Sequence, residues 1–187
     1  MGDRIRGAEA TVKRVRFFGK KTILKKRMEK RYRLKEIDTL LRRQRTKAET
    51  RLLHRAKMAN VPCPTVLYVD DFSIIMTLLS GKRPTMNMSD ARIAGIYLAR
   101  LHNHGIIHGD YTPANLIKAG KRLFVIDFGL GFFSTDIEDM ATDVFTMLKA
   151  INNGRSRKSF LSGYRVCKRF SAVMARVEDI KKRIRYA

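Results

Sequence analysis

Two stretches between residues 108 and 129 constrain this chain more than anything else in it. In His108-Gly109-Asp110, the aspartate is followed five positions later by Asn115. Twelve positions after that asparagine, the apolar run Leu123-Phe124-Val125-Ile126 ends at Asp127-Phe128-Gly129. A fold that uses this spacing must bring a loop and a strand end to one point, where Asp110, Asn115 and Asp127 meet. Such oxygen donors suit Mg²⁺, which keeps several waters and needs only one or two protein ligands beside phosphates. Asp127 and Asn115 are the expected metal ligands. Asp110 is the expected acceptor of a proton from an attacking hydroxyl, which it also holds in line. The expected cofactors are therefore ATP and Mg²⁺. The bland alternative is a loop capped by Asp and Asn ahead of an unrelated strand and turn.

The rest of the chain supplies a scaffold of the right kind. Residues 11–18 are rich in β-formers and read as a strand, with a turn at Phe18-Gly19-Lys20-Lys21 and a second, antiparallel strand over 22–25. Residues 38–57 read as a helix with a stripe of Leu41, Ala48, Leu52 and Ala56, capped by Asp38. Two short strands follow at 66–70 and 73–79, and Ser80-Gly81-Lys82-Arg83-Pro84 breaks the chain. Ser89 is the expected cap of a helix to about Asn103, with Ile93, Ile96, Tyr97 and Leu101 facing inward and Gly105 closing it. Residues 106–118 read as a loop, 123–126 as a buried strand, 138–151 as a buried helix and 160–183 as one basic helix. The expected fold class is α+β: a small β-rich N-lobe over residues 1–80 and a mainly helical C-lobe over 81–187, around an ATP cleft.

The set resembles the catalytic loop and metal motif of protein kinases, which implies further parts. One is a lysine on an N-lobe strand, paired with a helix glutamate. Lys25 and Glu49 fit, with Lys25 reaching the α- and β-phosphates. Lys26 would point to the opposite face of the strand, and Glu36 precedes the helix stripe. The usual glycine-rich loop is absent, and Gly7-Ala8-Glu9-Ala10 is the expected phosphate-covering segment. Asp143 is expected to anchor the backbone of the catalytic loop. The segment after Asp127 is short, and no arginine stands in His108-Gly109-Asp110 to grip a phosphorylated loop. Activation by loop phosphorylation is therefore not expected, and no groove for a long peptide is visible.

Charge narrows the partners. The chain carries 40 basic and 17 acidic side chains, a formal net charge of +23. Residues 25–57 hold 14 Lys/Arg against 4 acids, and 154–187 hold 11 against 2, while 58–153 hold 8 against 9. Basic flanks around a more acidic centre point to a polyanion outside and phosphates handled inside. Cys63 and Cys167 make no disulfide framework and read as buried apolar residues. His102, His104 and His108 lack cysteine support for a zinc site. No apolar run approaches the ~20 residues of a membrane span, so the expected location is cytoplasmic.

Over nearly its whole length the chain resembles the small atypical kinase subunit of the KEOPS complex in its archaeal stand-alone form. The matching segments are Gly7-Ala8-Glu9-Ala10, Lys25 through Arg33, and Asp38 through Glu49. His108-Gly109-Asp110 with Thr112 and Asn115, Ile126 through Gly131, Glu138-Asp139 and the basic end Lys181 through Tyr186 match as well. The resemblance implies ATP hydrolysis and autophosphorylation as a serine/threonine kinase. It also implies a complex with an ATPase that installs threonylcarbamoyl on tRNA adenosine, a further partner on the N-lobe, and tRNA as client of the basic flanks. The hinge then falls at Met76 to Leu78, placing Met76 and Leu78 beside adenine, with Thr77 where the family usually has an acid. Leu34-Lys35-Glu36 replaces a proline-containing turn, and Arg185-Tyr186-Ala187 lacks a glycine between basic residues. Two alternatives share these motifs: a small-molecule phosphotransferase of aminoglycoside or choline type, and a non-catalytic RNA-binding scaffold. A RIO-type kinase is a cousin of the first reading that usually carries an added DNA-binding-like domain.

Overall fold

A computed structural model describes residues 4–6 and 10–185, with side chains for residues 10–183. The N-lobe is a five-stranded antiparallel sheet of β1 (Arg4–Arg6), β2 (Ala10–Phe17), β3 (Lys20–Arg27), β4 (Val66–Val69) and β5 (Ser73–Thr77), in the order β1-β2-β3-β5-β4. Phe18 and Gly19 turn β2 into β3 with φ of 47° and 72°. Both lie in the left-handed region, as a tight two-residue hairpin requires. Asp70 joins β4 to β5 because its Oδ1 accepts the Phe72 and Ser73 amides at 2.8 and 2.7 Å. β3 is the central strand, with Lys25 opposite Val12 on one side and Ile74 on the other.

Helix α1 (Lys35–Met58) packs beside β4 and β5 and buries Leu52, Leu53 and Ala56. It begins three residues earlier than the sequence suggests. Leu34 is its N-cap, so Asp38 is no cap. Asp38 is buried in the next turn instead, where it accepts Arg42 Nε at 2.6 Å and the Lys30 amide at 3.3 Å. Of the expected stripe, Leu52 and Ala56 are buried, while Leu41 and Ala48 are half-buried.

The C-lobe holds α2 (Met88–Asn103), α3 (Ile137–Ala150), α4 (Gly154–Tyr164) and α5 (Phe170–Arg185). Asn87, not Ser89, caps α2, accepting the Asp90 amide on its side chain at 2.9 Å. The buried face of α2 is Ala91, Ala94, Leu98 and Leu101, whereas Ile93, Ile96 and Tyr97 are half-buried. Small residues win this face because α4 lies very close. A Cβ on Gly95 would fall 2.0 Å from the Phe160 carbonyl, and one on Gly163 2.0 Å from that of Arg92. The expected single helix over 160–183 is two helices. Asn103 makes the break: its Nδ2 donates to the Val166 carbonyl at 3.0 Å and its Oδ1 accepts the Lys168 amide at 2.9 Å.

The expected loop over 106–118 also contains structure. β6 (Ile106–Ile107) pairs with β9 (Phe132–Phe133), and β7 (Leu116–Ala119) pairs with β8 (Arg122–Val125). A 3₁₀ turn, Pro113–Asn115, leads into β7. Burial pushes the Cys63 thiol up to about 11, consistent with a packing role. No helix among the described residues is long and apolar enough to cross a membrane.

Candidate active site

Strand alternation puts Lys25 on the face of the sheet that overlooks the C-lobe, and Lys26 on the exposed opposite face. Helix α1 brings Glu49 beneath it, and the end of β8 brings Asp127. Lys25 Nζ lies 2.6 Å from Glu49 Oε1 and 2.7 Å from Asp127 Oδ1. Glu36, the rival on α1, is exposed. Burial by itself would lower the Lys25 pKa, but the charges of Glu49 and Asp127 outweigh it and hold it above its ordinary value. Burial likewise works to raise the Asp127 pKa, and Lys25 reverses the sign, holding that carboxyl below the usual range. Both groups are therefore charged at neutral pH.

One member of this cluster escaped the sequence reading. Arg27 is 4% exposed, and its Nη2 lies 2.6 Å from Glu49 Oε2. Its signal was its position two residues beyond Lys25, hence on the same face of β3. Asp127 adopts φ 59°, and the Gly129 amide donates to its Oδ1 at 3.2 Å. A Cβ on Gly129 would lie 3.0 Å from that oxygen and 3.3 Å from Lys25 Nζ. The absent side chain leaves room for the polar cluster.

The catalytic-loop motif hangs from Asp143 on α3. This buried carboxylate accepts the His108 amide at 2.7 Å and the Gly109 amide at 2.9 Å. His102 on α2 approaches Asp143 Oδ2 at 3.3 Å, and its other nitrogen lies 2.6 Å from the Tyr164 hydroxyl on α4. In sequence alone His102 offers only a candidate metal ligand, and nothing points to Tyr164. Among the described residues no group of three or more His, Cys, Asp or Glu side chains is placed to hold a metal. At the loop's end, Asn115 Nδ2 donates to Asp110 Oδ2 and to its carbonyl, both at 2.8 Å. That leaves Asn115 Oδ1 as the oxygen for an incoming ligand.

His108 is fully buried against Phe128, with ring centroids 4.8 Å apart. Its Nε2 donates to the Ile126 carbonyl at 3.0 Å, so Nδ1 is left to accept the Asp110 amide at 3.3 Å. That division needs a neutral ring. Burial pushes the imidazole below its ordinary value against the pull of Asp143. The unfolded chain takes up this proton near pH ~6.5 and the folded chain does not, so stability is full above that value and lost as pH falls through it. Thermal unfolding followed from pH 8 to pH 5 is expected to show a falling midpoint in the wild type and a flatter profile in His108→Gln. Equal slopes in the two proteins would remove His108 from this role.

Between the lobes lies a cleft of about 260 Å³. Val12, Ile23 and Met76 line it with apolar side chains, Lys25, Glu49 and Asp127 with charged ones, and Leu78 and Leu79 line it as well. Thr77 also lines it, with its Oγ1 accepting the Thr65 amide at 3.0 Å. Ala10 is buried at the start of β2, while Gly7, Ala8 and Glu9 lie outside the described residues. The structure thus gathers Lys25, Glu49 and Asp127 in one cluster, brackets it with Met76 and Leu78, and pairs Asp110 with Asn115.

The family described as the RIO domain matches residues 10–147. The "Probable serine/threonine-protein kinase BUD32 homolog" of Archaeoglobus fulgidus is 40% identical, over 96% of this chain and 94% of its own length. The chain belongs to the Bud32 family of RIO-domain proteins. Bud32-family sequence also occurs within longer proteins. The "Probable bifunctional tRNA threonylcarbamoyladenosine biosynthesis protein" of Methanosarcina acetivorans is 39% identical over 90% of this chain, which spans 32% of that relative. Among solved structures, the Rio2 kinase of Chaetomium thermophilum, in an ADP/Mg²⁺-phosphoaspartate complex, shares the fold with a TM-score of 0.66. The match is 18% identical and covers 98% of this Bud32-family chain and 69% of Rio2.

Proposed function

We propose that this chain is a Mg-ATP-dependent serine/threonine protein kinase and ATPase that works in a KEOPS-type complex for threonylcarbamoyladenosine modification of tRNA. The observation that carries the reading is the meeting of Lys25, Glu49 and Asp127 in one cleft, from positions 24 and 102 residues apart in the chain. The names of the Archaeoglobus and Methanosarcina relatives support the kinase and the tRNA parts respectively. The lobes divide at the Ser80-Gly81 break, into residues 1–80 and 81–187.

Each residue then has a task. Val12, Ile23, Met76 and Leu78 receive adenine, and Gly7 through Ala10 cover the phosphates. Lys25, held by Glu49, contacts the α- and β-phosphates. Asp127 and Asn115 fit Mg²⁺: both offer hard oxygens, and two protein donors suit a metal that fills its other positions with water and phosphate. Held there, it would neutralise phosphate charge. Asp110 orients the attacking hydroxyl or water and takes its proton, kept in place by Asn115 Nδ2. Lys25 must release Asp127 from their direct contact as nucleotide enters, because its ammonium then also faces phosphate. The partners are a tRNA-modifying ATPase subunit and a subunit on the N-lobe, with tRNA on the basic flanks and the whole in the cytoplasm.

Asp110→Asn tests the assignment. It keeps the size and the contact with Asn115 but removes the base. Turnover of ATP is expected to fall by roughly 10²–10⁴-fold while nucleotide affinity stays close to wild type. Full turnover in the variant would take the role away from Asp110.

A further inference from the structure

Three helices meet behind the catalytic-loop motif. Helices α2 and α4 approach so closely that Gly95 and Gly163 have no room for a Cβ. That approach carries Tyr164, the last residue of α4, beside His102 in the last turn of α2. Both side chains are buried. Neighbours hold the tyrosine ring: it stacks on Phe160 at an interplanar angle of 13° and stands edge-on to the imidazole at 86°. Its hydroxyl is thereby fixed 2.6 Å from His102 Nδ1. On the far side of the imidazole, Nε2 lies 3.3 Å from Asp143 Oδ2, the oxygen that also accepts the His108 amide.

The hydrogens along this chain of groups follow from its ends. Asp143 accepts two amides, so the nitrogen facing it must carry a hydrogen; a bare lone pair there would meet a carboxylate oxygen. A neutral imidazole with its hydrogen on Nε2 has an accepting Nδ1, and Tyr164 is the group placed to donate to it. Burial holds the phenol above its ordinary value, so the hydroxyl keeps its hydrogen. We infer that Tyr164 is a positioning residue for the proposed phosphoryl transfer: its hydroxyl donates to His102 Nδ1, fixes the Nε2–H tautomer and turns that hydrogen onto the carboxylate from which the Asp110 loop hangs. Its effect on rate rests on the kinase reading of the site, whereas the tautomer does not. At 3.3 Å the Nε2 contact is long, so a small rotation of the ring breaks it. Without the hydroxyl the ring is free to turn, and Asp143 keeps only its two amides. Tyr164 does not line the interlobe cleft, so it acts through His102 and Asp143 and not on substrate. Packing alone would need the ring; the network uses the hydroxyl.

Nitrogen NMR of the wild type with isotope-labelled histidine reads the tautomer without any turnover. His102 is expected to show a protonated Nε2 and a bare Nδ1. A hydrogen on Nδ1, alone or together with one on Nε2, would overturn the assignment. Tyr164→Phe keeps the ring and removes only the donor. It is expected to lose roughly tenfold in ATP turnover at saturation with KM for ATP close to wild type, because the loop is misplaced while the nucleotide cleft is untouched. Amide hydrogen exchange is expected to quicken at His108 and Gly109 more than elsewhere in the C-lobe. Wild-type turnover with unchanged exchange at those two amides would overturn the positioning role. Faster exchange throughout the C-lobe, with turnover per folded molecule unchanged, would reduce Tyr164 to a packing residue. The histidine measurement decides the tautomer whether or not the variant folds. A wild type that passes the NMR and exchange tests but turns over no ATP would count against the kinase reading alone.

Discussion

Glu49→Leu is expected to cost about 3 kcal/mol of stability, or roughly 6–12 °C in Tm for a chain of this size. Glu49 is 2% exposed and faces two cations, Lys25 and Arg27, at 2.6 Å each. Removing one side of a buried ion pair costs far more than the pair contributes, because the remaining charge was desolvated in exchange for it. Arg27, 4% exposed, bears most of that loss; Lys25 still has Asp127. Arg27→Met added to Glu49→Leu is expected to recover part of the lost stability, because apolar side chains of similar size can replace a buried pair. Nucleotide affinity should not recover, since Lys25 has lost the group that aims it. Thermal melts of the two variants, with nucleotide titrations beside them, check both halves. A double variant less stable than Glu49→Leu alone would contradict this view of the cluster.

Asp143→Ala is expected to act on the other side of the site, through the backbone. Its carboxylate accepts the amides of His108 and Gly109 and faces His102. Each buried donor left without an acceptor costs about 1–3 kcal/mol, so a total of roughly 3–5 kcal/mol follows. The loop that carries Asp110 then loses its fixed position, and misplacement by about 1 Å can cost 10²-fold in rate. Asp143→Asn keeps one accepting oxygen and should fall between the two proteins. Unfolding midpoints and turnover, measured on the same samples, separate the effects. A folded, fully active Asp143→Ala protein would remove Asp143 as the anchor of the loop.

The two-lobed α+β fold was legible in the sequence, and so was the meeting of Lys25 with Glu49 and Asp127 and of Asp110 with Asn115. Lys25, Glu49, Asp110, Asn115 and Asp127 could be placed because their chemistry demands fixed residue types at fixed spacing. Asp143 was legible for the same reason. Arg27 was missed because its role depends on a strand extending to its position, and the expected strand ended at Lys25. The α2 face was misjudged for a physical reason too. Side-chain bulk points to Ile93, Ile96 and Tyr97 as the inner face, yet the close approach of α4 needs the missing side chain of Gly95. The break between α4 and α5 has no Gly or Pro to announce it. It is held by Asn103, more than 60 positions away in the chain. Strand pairs as short as β6–β9, two residues a side and far apart in the chain, leave no periodicity to detect.

The most direct measurement is Mg²⁺-dependent phosphate release from ATP by the wild type beside Asp127→Ala, with and without total tRNA and the tRNA-modifying partner. Asp127 is 54% exposed at the end of a strand, so its loss should spare the fold. The expected result is wild-type turnover that rises with the partner and falls by roughly 10²-fold or more in the variant. Equal turnover in a folded Asp127→Ala protein, or no turnover from the wild type while it still binds partner or RNA, would contradict the assignment.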